Sequence, residues 1–487
     1  MVSGTVIERK TFRLVAVFLA LCLGLLGVAV MQVHARAQTL GQTWYLAEGS
    51  NNWGFYTEIH LANPNNTNVQ TLFTYMLPSG QTVTQNVWLA PQSQTGVIPY
   101  GLLGAVDFST KIQVVDDVDN IAVDRLMSWY KPGDSPPTIE ETSSIGANSP
   151  LRNWYLAEGS TNWGFETYIL VQNPNGFATD ATLMFMIEGE SARGFVKRIP
   201  AQSRQTFKMS DLVGKKDASC QVTADDPVVV ERSMFRGANR AMGHETIAAT
   251  TPATSYYLAE GTTNWGFTTY VLVQNPNPVP ANVSLALQTQ HGPMNGPTAV
   301  MPPNSRKTFN LNNWINKGQL SQGLDVSTVV NSDQPIIAER AMYWYDKTGK
   351  EGGHDTIGMT AGHGSFYFPG GYCGLSQPDG HETWTLVQNP NDVAVDVRLT
   401  YLPMDQMKSP IEMDATIPAN TRKTFSMIQA TGTGPYSTVV QSLDAGMKVM
   451  AETSMYAGAV MSFRTTQDFT ISRSAGGCSI GAYSDNQ

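Results

Sequence analysis

Trp44-Tyr45-Leu46-Ala47-Glu48-Gly49 is the stretch that decides the fold, because the chain repeats it. The phrase returns at residues 154–159 and 256–261, and in altered form at residues 366–371. A period of roughly a hundred residues is too long for a solenoid or a propeller blade and matches a small independent domain. The sequence therefore predicts four like modules, which we name repeats 1 to 4: residues 38–150, 151–252, 253–362 and 363–487.

Repeat 2 shows how one module is expected to fold. Tyr168-Ile169-Leu170-Val171-Gln172 is a β-branched and aromatic run, and Asn173-Pro174-Asn175 ends it with turn residues. Near the end of the repeat, Asp225-Asp226-Pro227 predicts the turn of a terminal hairpin. About seven short strands in roughly a hundred residues, with no helical period, predict an immunoglobulin-like antiparallel β-sandwich.

The joints between repeats are short and rich in small residues, as at 248–255 and 359–365. Short linkers limit bending between neighbours. We therefore expect an all-β protein in which a tandem array of four immunoglobulin-like sandwiches runs end to end as a rod, after an N-terminal signal or anchor segment.

Residues 1–37 predict export. Residues 1–13 are net basic and Leu14 to Val33 carry no charge, which is the pattern of a secretory signal peptide. Ala35-Arg36-Ala37 suits signal peptidase, with cleavage before Gln38. An uncleaved segment of this length would instead span a bilayer and anchor the repeats outside. Both alternatives place the repeats outside the cytoplasm, and only the second keeps them at a membrane.

The composition favours a folded, turn-rich, acidic protein. Charged residues make up 15% of the chain, against about a quarter in a typical domain. Removing residues 1–37 takes away four of the 31 basic and one of the 40 acidic residues, so the remainder carries a net charge of −12. Nucleic-acid binding depends on clustered lysine and arginine, so we expect no nucleic-acid partner.

Five phrases recur along residues 43–470: Trp-Tyr-Leu-Ala-Glu-Gly, Trp-Gly-Phe, Leu-Val-Gln-Asn-Pro-Asn, Ser-Arg-Lys-Thr-Phe and Glu-Arg-Ala-Met-Tyr-Trp. In these phrases the chain resembles a domain-of-unknown-function β repeat family of secreted and surface actinobacterial proteins. That family has no established activity, so the resemblance implies secretion and repetition without chemistry. Repeat 4 departs most, since residues 372–380 replace Trp-Gly-Phe and Thr453 stands where earlier repeats have arginine.

A glutamate and a tryptophan recur together in the first three repeats. A loop tryptophan can stack on a sugar face while a carboxylate accepts bonds from sugar hydroxyls, so each pair is a candidate carbohydrate site. In the alternative, which we favour, the aromatic ring plugs one end of the sandwich and the glutamate bonds loop amides. The pairs are Glu48 with Trp53, Glu158 with Trp163, and Glu260 with Trp265.

An acid and an arginine stand side by side in the same three repeats. Adjacent strand residues point to opposite faces, so the two members cannot simply pair with each other. Because a guanidinium binds a carboxylate in bidentate fashion, we expect structural ion pairs across a sheet or a joint in preference to a ligand site. These residues are Asp124 and Arg125, Glu231 and Arg232, and Glu339 and Arg340.

Histidine beside a carboxylate recurs in Gly243-His244-Glu245 and Gly353-His354-Asp355. Such a pair can begin a metal site or a general-base pair. No second histidine lies at metal-ligand spacing, so we expect contacts at the joints between repeats, with no metal and no cofactor. The common catalytic motifs do not occur, and we therefore expect no enzymatic activity.

Three cysteines follow residue 37: Cys220, Cys373 and Cys478. Cys373 and Cys478 flank the body of repeat 4 and are a candidate disulfide in an oxidising compartment. The alternative is three unpaired, buried thiols, since the sequence does not give the distance between the two Cα atoms.

The leading hypothesis is an extracellular, non-catalytic protein that acts as a surface spacer or an adhesin-like binder, in which several like sites supply avidity. The alternatives are a carbohydrate-binding accessory protein of a cell-wall or polysaccharide-processing system and a purely structural surface subunit. The expected partner is a surface glycan or another surface protein. Exposed tryptophans at 53, 163 and 265 would favour binding, and buried ones would favour a spacer.

Overall fold

The computed structural model describes residues 39–116, 119–130, 139–237, 240–289, 291–315, 323–345, 351–374, 380–457 and 475–485. The chain is 65% strand and 5% helix, which confirms the all-β class. Residues 37–487 form one compact unit. The predicted signal or anchor segment lies outside the described residues, and no helix within them is long and apolar enough to cross a bilayer.

Repeats 1 and 2 each contain one short helix among their strands. Repeat 1 has β1 (Thr43–Leu46), β2 (Phe55–Asn63), β3 (Val69–Met76), β4 (Thr82–Leu89), β5 (Ser93–Val97), α1 (Tyr100–Leu103), β6 (Ser109–Val114), β7 (Ala122–Tyr130) and β8 (Ile139–Ile145). Repeat 2 has β9 (Leu151–Leu156), β10 (Phe165–Asn173), β11 (Thr179–Ile187), β12 (Arg193–Ile199), β13 (Ser203–Lys208), α2 (Met209–Val213), β14 (Ala218–Arg236) and β15 (Met242–Ile247).

Repeats 3 and 4 follow the same order. Repeat 3 has β16 (Ala253–Leu258), β17 (Phe267–Asn275), β18 (Ala281–Thr289), β19 (Gly292–Met301), β20 (Ser305–Asn310), α3 (Leu311–Ile315), β21 (Val326–Tyr345) and β22 (Glu351–Ile357). Repeat 4 has β23 (Ser365–Phe368), β24 (Tyr372–Cys373), β25 (His381–Asn389), β26 (Val395–Pro403), β27 (Ile411–Ile417), β28 (Thr421–Ser426), α4 (Met427–Thr431), β29 (Gly434–Ser442), β30 (Met450–Ala457), β31 (Ala475–Ser479) and β32 (Ala482–Ser484).

Two antiparallel sheets make up repeat 1, in the orders β1-β6-β3-β4 and β5-β2-β7-β8. The first tryptophan of the recurrent phrase lies between the sheets: Trp44 is fully buried, and its Nε1 donates to the carbonyl of Ile121 at 3.0 Å. Trp154 donates to Val228 in the same way at 2.9 Å. A buried indole needs such a partner, which explains why this phrase fixes the fold.

The strand order shares two pairings with an immunoglobulin domain, β2 with β5 and β3 with β6. It differs in that β7 pairs with β2 and not with β6. In repeat 2, β14 is one long strand whose first part pairs with β9 and β11 and whose second part pairs with β10 and β15. Asp225-Asp226-Pro227 is therefore the crossing from one sheet to the other, and the predicted terminal hairpin was wrong.

A short strand near the end of each repeat lies against its counterparts in two other repeats. We name β8, β15, β22 and β31 the inner strands. β8 packs against β15 and β31, and β22 packs against the same two strands. The same two positions of the inner strand meet at every contact. The pairs are Thr142 with Glu245, His244 with Asp355, His354 with Cys478, and Gly477 with Ser143.

Repeats 1 to 4 therefore close into a ring, and the expectation of an end-to-end rod was wrong. Leu40 at the start of repeat 1 donates its backbone N–H to Tyr483 of repeat 4 at 2.8 Å. The buried contacts between neighbouring inner strands set the angle between repeats. Gly41 bridges Ile121 just before β7, whereas Phe55, which follows the loop of Trp53, pairs with Trp129 near the end of β7. The described chain therefore enters the ring at the end opposite to the tryptophan loops.

Candidate functional site

An arginine network fills the contact between repeats 1 and 2, which we name junction 1–2. Arg125 is fully buried and donates to Glu231 Oε2 at 2.6 Å, to Glu245 Oε2 at 2.5 Å and to the carbonyl of Glu48 at 2.9 Å. Glu231 also accepts from the backbone N–H of Ala47 at 2.7 Å. The predicted acid and arginine residues thus lie at a joint, where each arginine pairs with the acid of the next repeat.

Junctions 2–3 and 3–4 repeat this network. Arg232 Nη1 donates to Glu339 Oε2 at 2.7 Å, and Nη2 pairs with Asp355. Arg340 Nη2 donates to Glu452 Oε2 at 2.9 Å. All of these side chains are buried within the protein. Three successive junctions are therefore held by a guanidinium from one repeat and a carboxylate from the next.

The networks of junctions 1–2 and 2–3 each bury three carboxylates against two basic side chains, Arg125 and Arg204 in the first and Arg232 and His244 in the second. Burial raises the pKa of Glu245 to about 8, although the charge of Arg125 lowers it. Burial likewise raises the pKa of Glu339 to about 7 against the opposing charge of Arg232. Protonation of one carboxyl group brings a buried network closer to neutrality, as low-polarity surroundings require.

Two clusters of side chains in these networks contain the carboxylate, imidazole and thiol groups that can bind a metal ion. Within each set the ligand atoms lie within 4.8 Å of one another: Glu158, His244 and Asp355, and Glu260, His354 and Cys478. Arg232 contacts Glu158 and Asp355, and Arg340 lies 2.9 Å from Cys478 Sγ and 3.0 Å from His354 Nδ1. A guanidinium already uses these donors and repels a second cation, so the two histidines belong to the ion-pair networks at the joints.

Junction 4–1 closes the ring with different residues. Thr453 stands in the position of the arginines and Gly370 in that of Glu48. Asp124 accepts from the backbone N–H of Gly370 at 2.9 Å and pairs with His60 Nδ1 at 3.1 Å. Gln94 stands in the position of Arg204, which pairs with Glu48 in junction 1–2, and it donates to the carbonyl of Pro369 at 2.8 Å. The closing junction therefore contains no arginine pair among its described residues.

His60 supplies the positive charge at the closing junction. Burial alone would lower its pKa, but hydrogen bonds and charges from Asp124 and Glu58 raise it to about 10. The imidazole is therefore protonated at neutral pH and neutralises Asp124. A second histidine and carboxylate meet across the same junction, where His381 Nε2 lies 3.0 Å from Glu141 Oε1.

The candidate disulfide is not formed. Cys220, Cys373 and Cys478 are free and buried. Cys373 lies on β24 opposite Gly434, whereas Cys478 lies on β31 opposite Ser454 and beside Arg340. Because β24 and β31 belong to different sheets, the sequence position of the two thiols at either end of repeat 4 does not bring them together.

The three recurrent tryptophans are exposed, and the expectation that they plug the sandwich was wrong. The exposed fractions are 68% for Trp53, 77% for Trp163 and 47% for Trp265. Their glutamates lie elsewhere: Glu48, Glu158 and Glu260 are buried in the arginine networks. The predicted pairing of tryptophan with glutamate is therefore separated into a surface loop and a buried junction.

Each tryptophan is held in an unusual backbone conformation. Trp53, Trp163 and Trp265 have φ values of 58°, 58° and 53°, in the left-handed region that bulky residues avoid. A glycine with φ near 84° follows each one. The Trp53 carbonyl accepts from Arg240 at 2.6 Å and the Trp163 carbonyl from Arg236 at 3.1 Å. The loop backbone is thus fixed so that the indole points outward.

An aspartate that the sequence analysis did not single out lies beside each tryptophan loop. Ser160 Oγ donates to Asp217 Oδ1 at 2.5 Å, and Trp163 Nε1 lies 3.4 Å from Asp217 Oδ2. Ser50 holds Asp107 at 2.7 Å, and Thr262 forms a β-bridge with Asp325. The sequence did indicate these aspartates, because an acid recurs at this position in repeats 1 to 3. Repeat 4 has Pro435 at the same position.

Comparison with known proteins leaves the family open. No model of a known protein family matches the chain, and no curated protein matches it. The Anabaena sensory rhodopsin transducer is 19% identical over 18% of this chain and 95% of its own, with a TM-score of 0.17. Thermotoga maritima 1070 is 14% identical over 22% of this chain and 92% of its own, with a TM-score of 0.18.

A tetra-tandem repeat from the extending region of a large adhesion protein aligns with 92% of this chain and all of its own, at 10% identity and a TM-score of 0.10. None of these three structures reaches a TM-score of 0.5. They therefore assign neither a fold family nor a function to the chain.

Proposed function

We propose that this chain is an extracellular, non-catalytic binding protein in which four related immunoglobulin-like sandwiches close into a ring and display three tryptophan loops. The proposal includes export by residues 1–37, with membrane attachment only if that segment is retained, and membership of the repeat family that the sequence resembles. Support for four related units comes from the strand pairings, which follow one pattern in every repeat.

The exposure of the tryptophan loops carries the proposal. A spacer needs no exposed indole, and placing bulky residues at positive φ costs on the order of 1–3 kcal/mol each. Three repeats nevertheless keep a tryptophan in this conformation, 47% to 77% exposed. Strain retained at exposed aromatic residues favours contact with a ligand over a purely structural role.

The ring also explains how several sites act together. The inner strands of neighbouring repeats meet at equivalent positions, as in the contacts of Thr142 with Glu245 and His244 with Asp355. Repeats related in this way carry their tryptophan loops at the same end of the ring. A surface or polymer that reaches two loops at once would gain avidity without any new contact.

The binding test uses residues 38–487 and isolated actinobacterial cell walls. We expect the protein to sediment with the walls and the triple variant Trp53→Phe, Trp163→Phe, Trp265→Phe to lose at least about ten-fold in affinity, because each indole contributes contact area. Trp88→Phe is the matched control, since Trp88 is 63% exposed but lies on β4, away from the loops. Absence of binding by the parent protein, or equal binding by the triple variant, would contradict the proposal.

A further inference from the structure

We infer that each tryptophan loop is one subsite for a neutral or amino sugar of a polysaccharide, with the neighbouring aspartate as its polar anchor. This inference rests on the proposed binding function and adds the class of ligand. The central observation is an outward indole beside a fixed carboxylate in repeat 2, where Trp163 Nε1 lies 3.4 Å from Asp217 Oδ2. The equivalent acids lie next to the other two loops, where Asp107 accepts from Ser50 and Asp325 forms a β-bridge with Thr262.

The indole provides the apolar half of such a subsite. A pyranose ring has a face of C–H groups that packs on an aromatic plane, and its hydroxyls stay at the edge. Trp163 is 77% exposed, and the hydrogen bond from Arg236 to its carbonyl fixes the backbone beneath it. A platform that is already fixed loses little conformational entropy when a ligand stacks on it.

The aspartate provides the polar half. One oxygen of Asp217 is held by Ser160 and the other faces the indole N–H at 3.4 Å. Each carboxylate oxygen has two lone pairs, so capacity remains for hydroxyl or ammonium donors at the edge of the ring. No ion pair to Asp217 is found among the described residues, whereas Arg204 Nη2 lies 3.8 Å from Asp107 Oδ2. The subsite in repeat 2 is therefore less neutralised than the one in repeat 1.

Charge narrows the class of sugar. Every loop has a carboxylate beside it, and the chain carries a net charge of −12 without residues 1–37. A uronic acid or a phosphorylated glycan would meet like charge at each subsite, which costs free energy. Neutral hexoses and amino sugars avoid this repulsion.

The separation of the platforms favours a glycan over a protein partner. A stable protein interface buries about 800 Å² on each side, whereas one aromatic side chain offers about 150–250 Å². The three indoles stand on different repeats, each bordered by its own acid. Small apolar faces that recur at a distance match the residues of a polymer better than one continuous protein surface.

The test treats walls separately with protease, with periodate and with muramidase before the sedimentation assay. We expect binding to survive protease and to be lost after at least one glycan treatment. Binding that is lost after protease but survives both glycan treatments would overturn the sugar inference and leave the proposed binding function standing. Absence of binding to untreated walls would contradict the proposed function itself.

A second measurement addresses the aspartate. Titration of Asp217→Asn with cello-, chito- and laminari-hexaose should show roughly ten-fold weaker binding of whichever sugar the parent binds, because a charge-assisted bond becomes a neutral one. Asp180→Asn is the matched control, since Asp180 pairs with Arg198 on an exposed strand away from the loop. Equal affinity of Asp217→Asn and the parent would exclude the aspartate as the anchor.

Discussion

The closing junction occupies a place in the ring equivalent to those of junctions 1–2, 2–3 and 3–4, but its charged residues are different. The first three bury an arginine between carboxylates, as Arg232 does between Glu339 and Asp355. The closing junction replaces arginine by Thr453, glutamate by Gly370 and the paired acid by the shorter Asp124. A buried carboxylate without a cation is strongly unfavourable, so the loss of arginine from repeat 4 is matched by His60 in repeat 1.

The comparison shows that the two ends of the chain are adapted to each other. Repeat 4 has Thr453 in place of the arginine that pairs with the next repeat, so it would leave a buried glutamate without that partner at any junction except the one with Asp124. Changes that look like degeneration of the last repeat are therefore complementary to changes in the first.

The largest effect is expected from Arg232→Ala. The substitution leaves Glu339 buried without its cation and Asp355 with His244 alone, which should lower the free energy of unfolding by about 3–5 kcal/mol. Urea denaturation followed by circular dichroism measures the change. Arg398→Ala is the control, because Arg398 pairs with Asp414 on the surface and such pairs contribute about 0–1 kcal/mol. Equal effects of the two substitutions would refute the structural importance of the buried network.

A smaller effect is expected from His60→Leu, which introduces the residue that the other repeats have at Leu170, Leu272 and Leu386. The apolar volume is kept, but Asp124 loses its cationic partner and keeps only the backbone N–H of Gly370. We expect a loss of about 1–3 kcal/mol in the free energy of unfolding. No change, or an increase, would mean that junction 4–1 does not need the charge of His60.

The pH dependence of stability separates the two kinds of junction. The pKa of His60 is raised to about 10 in the folded protein, above its ordinary value near 6.5. Its contribution is therefore complete below pH about 6.5 and is lost as the pH rises towards 10. The difference in unfolding free energy between the parent and His60→Leu should shrink over that interval. A difference that is constant with pH would contradict a protonated His60.

The smallest effect is expected from Trp163→Ala. The indole is exposed and its loop adopts positive φ, so truncation should change the free energy of unfolding by less than about 0.5 kcal/mol. Thermal unfolding checks this, with the buried Trp154→Ala as the contrasting variant, expected to lose about 3–5 kcal/mol. A large loss for Trp163→Ala would show that the loop is a structural element after all.

Much of the local structure could be predicted from the sequence, and the long-range arrangement could not. Strands and turns are determined mainly by residues that are close together in the sequence. Strand runs and turn residues therefore predict the all-β class. The pairing of Arg125 with Glu231 joins residues from different repeats, so only a joint contact could be expected. The ring escaped prediction because it depends on contacts between repeats 1 and 4, although Thr453 and Gly370 departed from the pattern together.

The prediction for the tryptophan loops was wrong for a related reason. A glutamate five residues from a tryptophan looks like one site in the sequence, but the backbone turns between Glu48 and Trp53 and sends them to opposite environments. Asp217 lies more than fifty residues from Trp163 in sequence and beside it in space. Only the pairing of the strands that follow brings these two together.

Small-angle X-ray scattering of residues 38–487 at neutral pH tests the closure of the ring most directly. A closed body of this length should have a radius of gyration near 22 Å, from the scaling of compact proteins. Four sandwiches placed end to end would give roughly twice that value, since each is about 40 Å long by strand geometry. A value near 22 Å is the result we predict, and an elongated particle would contradict the ring and the complementarity of repeats 1 and 4.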